Sequence, residues 1–197
     1  MYTNSEHEAH PVSLLPLYAG LVARNSATAA EFEFSKYLYV PQSVSEARTT
    51  YRVSFEGFDH MFSTLVKSLA SHEDIALHSR VYLSNGKVMH LPMIDMGCEQ
   101  IESHLPKLKE AFGDFGIETL SVYRSGRSYH IYGHGLLKDE HELIRFIGRM
   151  LLLNLPRQER IIDERWVGHR LMAGYLTLRL TSNNPHYKLL PVLYGRF

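Results

Sequence analysis

The residues best suited to chemistry are two aspartates, one histidine and a set of cations on separate segments. Asp95 closes the apolar run Leu91-Pro92-Met93-Ile94-Asp95. His130 lies just past a turn, in Ser125-Gly126-Arg127-Ser128-Tyr129-His130-Ile131-Tyr132. Asp163 ends Ile161-Ile162-Asp163. A polar cassette follows, from His169-Arg170 through Arg179 to Ser182-Asn183-Asn184-Pro185-His186-Tyr187-Lys188. Carboxylates are hard oxygen donors for divalent ions, and the arginine fork matches phosphate oxygens. Together these residue types suit metal-dependent chemistry on a nucleotide triphosphate.

Each of them also has a plainer reading. His130 alternates with Tyr129 and Ile131, so it also reads as a strand histidine hydrogen-bonded within a sheet. Asp163 precedes Glu164-Arg165-Trp166 and suits the N-cap of a short helix. Ser182-Asn183-Asn184-Pro185 is turn chemistry by composition, and Arg127 suits a solvated hairpin. Trp166 is expected in the core. Tyr123, Tyr129 and Tyr132 read as packed sheet residues before they read as base-stacking ones. His7, His10, His60, His72, His78 and His104 show no ligand spacing, and are expected on the surface or partly buried.

The elements that must position these groups follow from periodicity. Residues 31–40 alternate as a strand that Pro41 stops, and residues 50–55 give a second. Phe58, Met61, Phe62, Leu65, Val66 and Leu69 keep helical spacing. Strands over 76–83 and 87–95 flank Ser84-Asn85-Gly86, a strong hairpin signal. A helix is expected over about 99–112, then paired strands at 120–123 and 129–132. Asp139 and Glu140 open an apolar helix over 143–153 that ends before Pro156. Strands near 175–181 and 189–194 finish the chain. Residues 1–28 offer only an apolar patch at 14–22. From the second hairpin strand the order is strand, helix, strand, strand, helix, strand. That is the split βαβ, ferredoxin-like or RNA-recognition-like arrangement of an α+β protein.

Composition sets the outer limits. The chain has 197 residues and one cysteine, Cys98, so it holds neither an internal disulfide nor a cysteine-rich zinc framework. No apolar run is long enough for a membrane-spanning helix, and the first residues lack the charged and apolar regions of a signal peptide. A cytoplasmic location with no membrane partner is the expectation. The formal net charge of zero hides an asymmetry. Residues 1–119 hold nine Lys/Arg against fifteen Asp/Glu, a balance of −6. Residues 120–197 hold twelve against six, a balance of +6, and ten of those cations are arginine. A surplus of arginine suits an anionic partner, although Arg145 and Arg149 also fit a solvated helix face.

Asp95 after an apolar strand, Ser128-Tyr129-His130, and Ile162-Asp163 recur in the order of the three motifs of archaeo-eukaryotic primases and primase-polymerases. The cassette Arg179…Ser182…Pro185…Lys188 also resembles the segment that follows the third acid in those enzymes. The match covers about residues 87–190 and is nearest to small bacterial "primase 1D-like" proteins. The resemblance implies a primase-type catalytic fold in a single domain, residues 1–197. An N-terminal α/β unit (1–75) would pack on an RNA-recognition-like unit (76–197), with the active site in the cleft between them.

By position, the resemblance makes Asp95, Asp163 and His130 catalytic, with Mg²⁺ or Mn²⁺ on Asp95 and Asp163. Ser128, His130, Arg127, Arg179 and Lys188 would hold the nucleotide triphosphate. Arg170, His169 and Asn183 would contact single-stranded DNA or RNA. The family's first motif pairs two carboxylates as Asp-x-Asp, whereas this chain has Asp95-Met96-Gly97. Glu99 is the substitute ligand to expect, unless it merely serves the first turn of a helix.

The implied function is a primase-like nucleotidyltransferase with an incomplete first metal motif. The alternative is a catalytically inactive nucleic-acid or nucleotide-binding subunit of a larger replication, repair or defence assembly. A metal-dependent phosphohydrolase using the same acids is a weaker third. With no helicase or zinc-binding module in the sequence, a helicase or another protein is an expected partner.

Overall fold

The computed structural model describes residues 30–43, 47–54, 57–186 and 189–197. The apolar patch at 14–22 and Lys188 lie outside the described residues. Two antiparallel sheets organise the chain. The first contains β1 (Ala30–Leu38), β2 (Arg48–Ser54), β3 (Glu73–Leu83), β4 (Val88–His90) and β8 (Thr177–Arg179). Its order is β2-β1-β3-β4, and β8 pairs with β3 through Ala76–His78, just beyond the stretch that pairs with β4. The second runs β5-β7-β6-β9, formed by β5 (Met93–Asp95), β6 (Leu120–Ser125), β7 (Ser128–Gly133) and β9 (Val192–Arg196).

Four helices complete the described residues: α1 (Phe58–Lys67), α2 (Leu105–Gly113), α3 (Glu140–Leu151) and α4 (Glu164–Ala173). In α1 the helical spacing puts Phe58 and Phe62 on one side. Phe58 packs against Phe34 of β1, ring centroids 5.3 Å apart. Asp139 caps α3 by accepting from the backbone N–H of Glu142, and Phe146 of that helix meets Phe112 of α2 edge-on at 5.1 Å. Period-two alternation sends Ile94, Val122 and Ile131 to one face of the second sheet. Those side chains are fully buried in the apolar core that also contains α2 and α3. The opposite face carries Asp95, His130, Tyr123, Ser125 and Ser128.

Several expectations change here. The run expected as one strand over 87–95 is divided at Leu91-Pro92. Proline has no N–H to continue a ladder, and the chain crosses there from the first sheet to the second. Leu91 N still donates to Ser79 O at 2.7 Å, whereas Pro92 O already accepts from Gly133 N at 2.8 Å. The helix expected from about 99 starts at Leu105, because Pro106 is tolerated only in a first turn. The division at 75/76 falls inside β3, and β8 returns to the first sheet. That strand, expected over 175–181 as the fourth of the split βαβ unit, therefore does not lie beside β5, and β9 takes the outer edge of the second sheet, next to β6. An extended segment ending at Asp163 occupies the flank of β5.

Candidate functional site

The β5–β7–β6 register places Asp95, His130 and Tyr123 directly across from one another. His130 Nε2 lies 3.8 Å from Asp95 Oδ1. Ser125 and Ser128 face each other at the end of this ladder, joined by the two-residue turn Gly126-Arg127. Gly126 has φ +88°, the conformation a tight hairpin of this kind needs at its first turn position.

Asp163 reaches the same place from outside the strand. Met96 and Ile162 form an isolated antiparallel bridge. Gly97 N donates to Ile161 O at 2.9 Å, and Asp163 N to Asp95 O at 3.1 Å. In antiparallel pairing the flanking residues lie opposite, so Asp95 and Asp163 are cross-strand neighbours. Asn154 holds the incoming segment: its Oδ1 accepts from Ile161 N and Ile162 N, both at 2.9 Å, and its Nδ2 donates to Ile162 O at 3.0 Å. Asp163 also performs the capping role, since its Oδ1 accepts from Trp166 N at 3.0 Å and starts α4. The two readings of this residue are compatible, because a carboxylate has a second oxygen.

α4 then contributes Trp166, His169 and Arg170 to one wall of a cavity of about 150 Å³. The other walls carry Asp95, Asp163, His130, Ser125 and Ser128, along with Arg179 and Thr177 of β8 and Tyr37 and Arg48 of the first sheet. Arg170 is buried and donates to Thr177 Oγ1 at 2.6 Å. Arg179, also buried, donates to Ser125 Oγ at 3.1 Å, to Leu189 O at 3.3 Å, and to Thr181 O. The Arg48 guanidinium lies 4.1 Å over the Tyr37 ring and donates to Ser35 Oγ at 2.9 Å. Burial, then the charge of Asp163, pushes the Asp95 carboxyl up to about 8, against the pull of Arg179 and Arg170.

Of the residues singled out in the sequence, Asp95, Asp163, His130, Ser128, Arg179, Arg170 and His169 share this cavity. Three others lie elsewhere. Glu99 is exposed in the loop before α2 and is not part of the lining, because the helix that would have aimed it starts six residues later. Arg127 is exposed in the β6–β7 turn. Asn183 faces the chain itself: Nδ2 donates to Ala70 O at 2.9 Å and Glu73 O at 3.0 Å, and its N–H to Asp74 Oδ1 at 2.8 Å. Asp74 is fully buried and also accepts from Thr181 Oγ1 at 2.7 Å, so the cassette is tied down by an acid more than a hundred residues earlier. Trp166 is half-buried, and its indole N–H donates to Thr177 O at 2.8 Å.

Sequence reasoning overlooked Arg48, Tyr37, Ser125 and Asn154. The only local hint was strand alternation around Tyr37, because their placement depends on long-range pairing. His78, expected near the surface, is fully buried between Glu33 and Ser35.

No cluster of three or more His, Cys, Asp or Glu suited to a metal occurs among the described residues. The donor set fits a more modest centre: two neighbouring carboxylates on a cavity, where burial and then the charge of Asp163 raise Asp95. Mg²⁺ is commonly held by one or two carboxylates together with water and substrate phosphates. The missing partner in the first motif has a steric counterpart. A Cβ on Gly97 would meet Arg160 O at 3.2 Å and Ile162 O at 3.3 Å. The backbone that carries Asp163 thus crowds a side chain at position 97.

No helix among the described residues is long and apolar enough to cross a membrane. No protein of curated description matches the chain in sequence. Among solved structures, the polymerase domain of Mycobacterium tuberculosis ligase D, in complex with DNA, is similar over 99% of this chain and 86% of that one, at 13% identity and a TM-score of 0.42. The profile of the archaeo-eukaryotic primase 1D-like family matches residues 56–192, well over half of the chain. The protein belongs to that family.

Proposed function

We propose that the protein binds a nucleotide triphosphate in this cavity and acts as a primase-like nucleotidyltransferase on single-stranded nucleic acid. The observation that carries the reading is the convergence of Asp95 and Asp163 with His130, Ser128, Arg170 and Arg179 on one small cavity. A divalent ion, Mg²⁺ or Mn²⁺, would be held by Asp95 and Asp163. It would supply charge neutralisation for phosphoryl transfer. Arg179 and Arg170 sit on the same cavity, fixed by hydrogen bonds to Ser125, Thr177 and main-chain carbonyls. Preorganised cations of this kind stabilise charge developing on a transferred phosphate without reorganising. His130 and Ser128, across the ladder from Asp95 and the turn, would contact the triphosphate oxygens.

Gly97 favours a second reading, a member that binds nucleotide without joining it. Two carboxylates suffice for one ion, whereas a two-metal centre asks for more. Nucleotide incorporation on a single-stranded template with Mn²⁺, alongside calorimetric nucleotide binding, separates the two. Transfer that Asp163→Asn abolishes supports the enzyme. Metal-dependent binding without any incorporation supports the binding subunit. Neither binding nor incorporation would defeat both.

A further inference from the structure

The cavity opens onto a face of the first sheet that the nucleotide reading leaves unused. β2 alternates Arg48, Thr50 and Arg52 toward this face, opposite Tyr37, Ser35 and Glu33 of β1. β3 is bulged here: Phe32 pairs with Val81 and Phe34 with Leu77, so His78, Ser79 and Arg80 oppose the single residue Glu33. The bulge aims both His78 and Arg80 at one carboxylate. Glu33 Oε1 accepts from His78 Nδ1 at 2.7 Å and from Arg80 at 3.1 Å, and its Oε2 from the Tyr82 hydroxyl at 2.8 Å.

The consequence is a set of stacked cations. Arg48 lies over Tyr37 at 4.1 Å, Arg52 over Tyr82 at 3.6 Å and Arg80 over Tyr175 at 3.9 Å. Glu33 is 4% exposed, while the Arg52 side chain keeps 56% of its exposure and Arg80 29%. The acid is therefore underneath and the guanidinium planes are outside. Glu31, exposed at the start of β1, closes the far end of this face.

We infer that this arginine–tyrosine face is a binding track for a single strand of nucleic acid leading into the cavity. The inference rests on the nucleotide-binding reading above for its direction, and on the sheet itself for its chemistry. A guanidinium held over a tyrosine ring is a cation placed for a base to stack on and for phosphates to pair with. From Arg48 to Arg52 the strand advances about 14 Å at roughly 3.4 Å per residue, room for a few nucleotides of an extended chain. A free nucleotide needs only the cavity and would leave Arg52 and Arg80 unused. An acidic peptide would satisfy the charges but not the stacked rings.

Fluorescence anisotropy of a labelled oligothymidylate of about ten nucleotides tests this on the full chain. Arg52→Gln is expected to weaken strand binding about tenfold and to reduce the logarithmic salt slope by about one. Tyr175→Leu is expected to weaken binding with the slope unchanged. Affinity for a non-hydrolysable nucleotide triphosphate with Mn²⁺ should stay as it was in both variants, and this also reports that the chain is folded. Unchanged strand affinity and slope in Arg52→Gln, with nucleotide still bound, would overturn the track and leave the cavity reading standing. Displacement of the oligonucleotide by polyglutamate at equal charge would also overturn it. Strand binding that responds to these variants in a chain that binds no nucleotide would keep the track and defeat the cavity reading.

Discussion

Asp163 donates its backbone N–H to the carbonyl of Asp95 at 3.1 Å, and this bond makes neighbours of two acids 68 positions apart. The contact belongs to a single bridge between Met96 and Ile162, outside the regular ladders. The acid pair therefore depends on one extended segment reaching the flank of β5, and on the Asn154 side chain that holds that segment.

Asp95 is the group through which pH and metal should act. Its carboxyl is pushed from 3.8 to about 8, so between these values the folded chain holds a proton that the unfolded chain has released. Without metal, stability should fall as pH rises through that window. In EDTA at pH 8, Asp95→Asn is expected to raise the melting temperature by several degrees. Mn²⁺ should stabilise the unmodified chain and leave the variant unaffected. A lower melting temperature in EDTA, or an intact metal response, would contradict the assignment.

Gly97→Asp should not restore a lapsed motif. Its Cβ would press on the Arg160 and Ile162 carbonyls, main-chain atoms in the bridge that would have to give by a few tenths of an ångström. A loss of about 1–3 kcal/mol in stability is expected, with no gain in nucleotide incorporation. Glu99→Ala, in an exposed loop outside the cavity, should leave metal-dependent binding unchanged. Chemical denaturation and incorporation assays on the two variants check both statements.

The Glu33–His78 pair gives the chain a separate acid limit. Burial pushes Glu33 up, but hydrogen bonds from His78 and Tyr82 and the charge of Arg80 hold it down at about 2. Its contribution is complete above about 4.5 and lost as pH falls toward 2. Burial lowers His78 below its usual 6.5, against the opposing pull of Glu33, so the folded chain resists protonating it and stability declines as pH drops below about 6.5. Glu33→Gln should cost about 3 kcal/mol by leaving buried donors without their carboxylate, and should flatten the acid side of the stability profile. An unchanged profile would show that other groups set it.

Asn183 and Arg179 should separate architecture from binding. Asn183→Ala removes donors to Ala70 O and Glu73 O and should lower stability by about 1–2 kcal/mol while strand and nucleotide affinities hold. Arg179→Lys keeps the charge but not the fork that reaches Ser125 and the main-chain carbonyls, and should weaken triphosphate binding about tenfold. Calorimetry and thermal melting on the same preparations would expose a reversed pattern.

Residue types and their local spacing already carried much of this protein. The alternation around His130, the Asn85-Gly86 turn, the Asp139 cap of α3 and the spacing of Phe58, Phe62 and Leu65 are short-range preferences. Each therefore forms where the local pattern puts it. The three-motif order likewise pointed to the family and to Asp95, His130 and Asp163. Contacts between distant segments decided the rest. Pro92 divides one apolar run between two sheets, and β8 pairs with β3 across about a hundred residues. Asn183 is spent on Asp74 and its neighbours, while Arg48 becomes a wall of the cavity because its strand lies against Tyr37. Gly97 reads as a missing ligand in the sequence; in the folded chain, the backbone bringing Asp163 to Asp95 crowds the position where a side chain would begin.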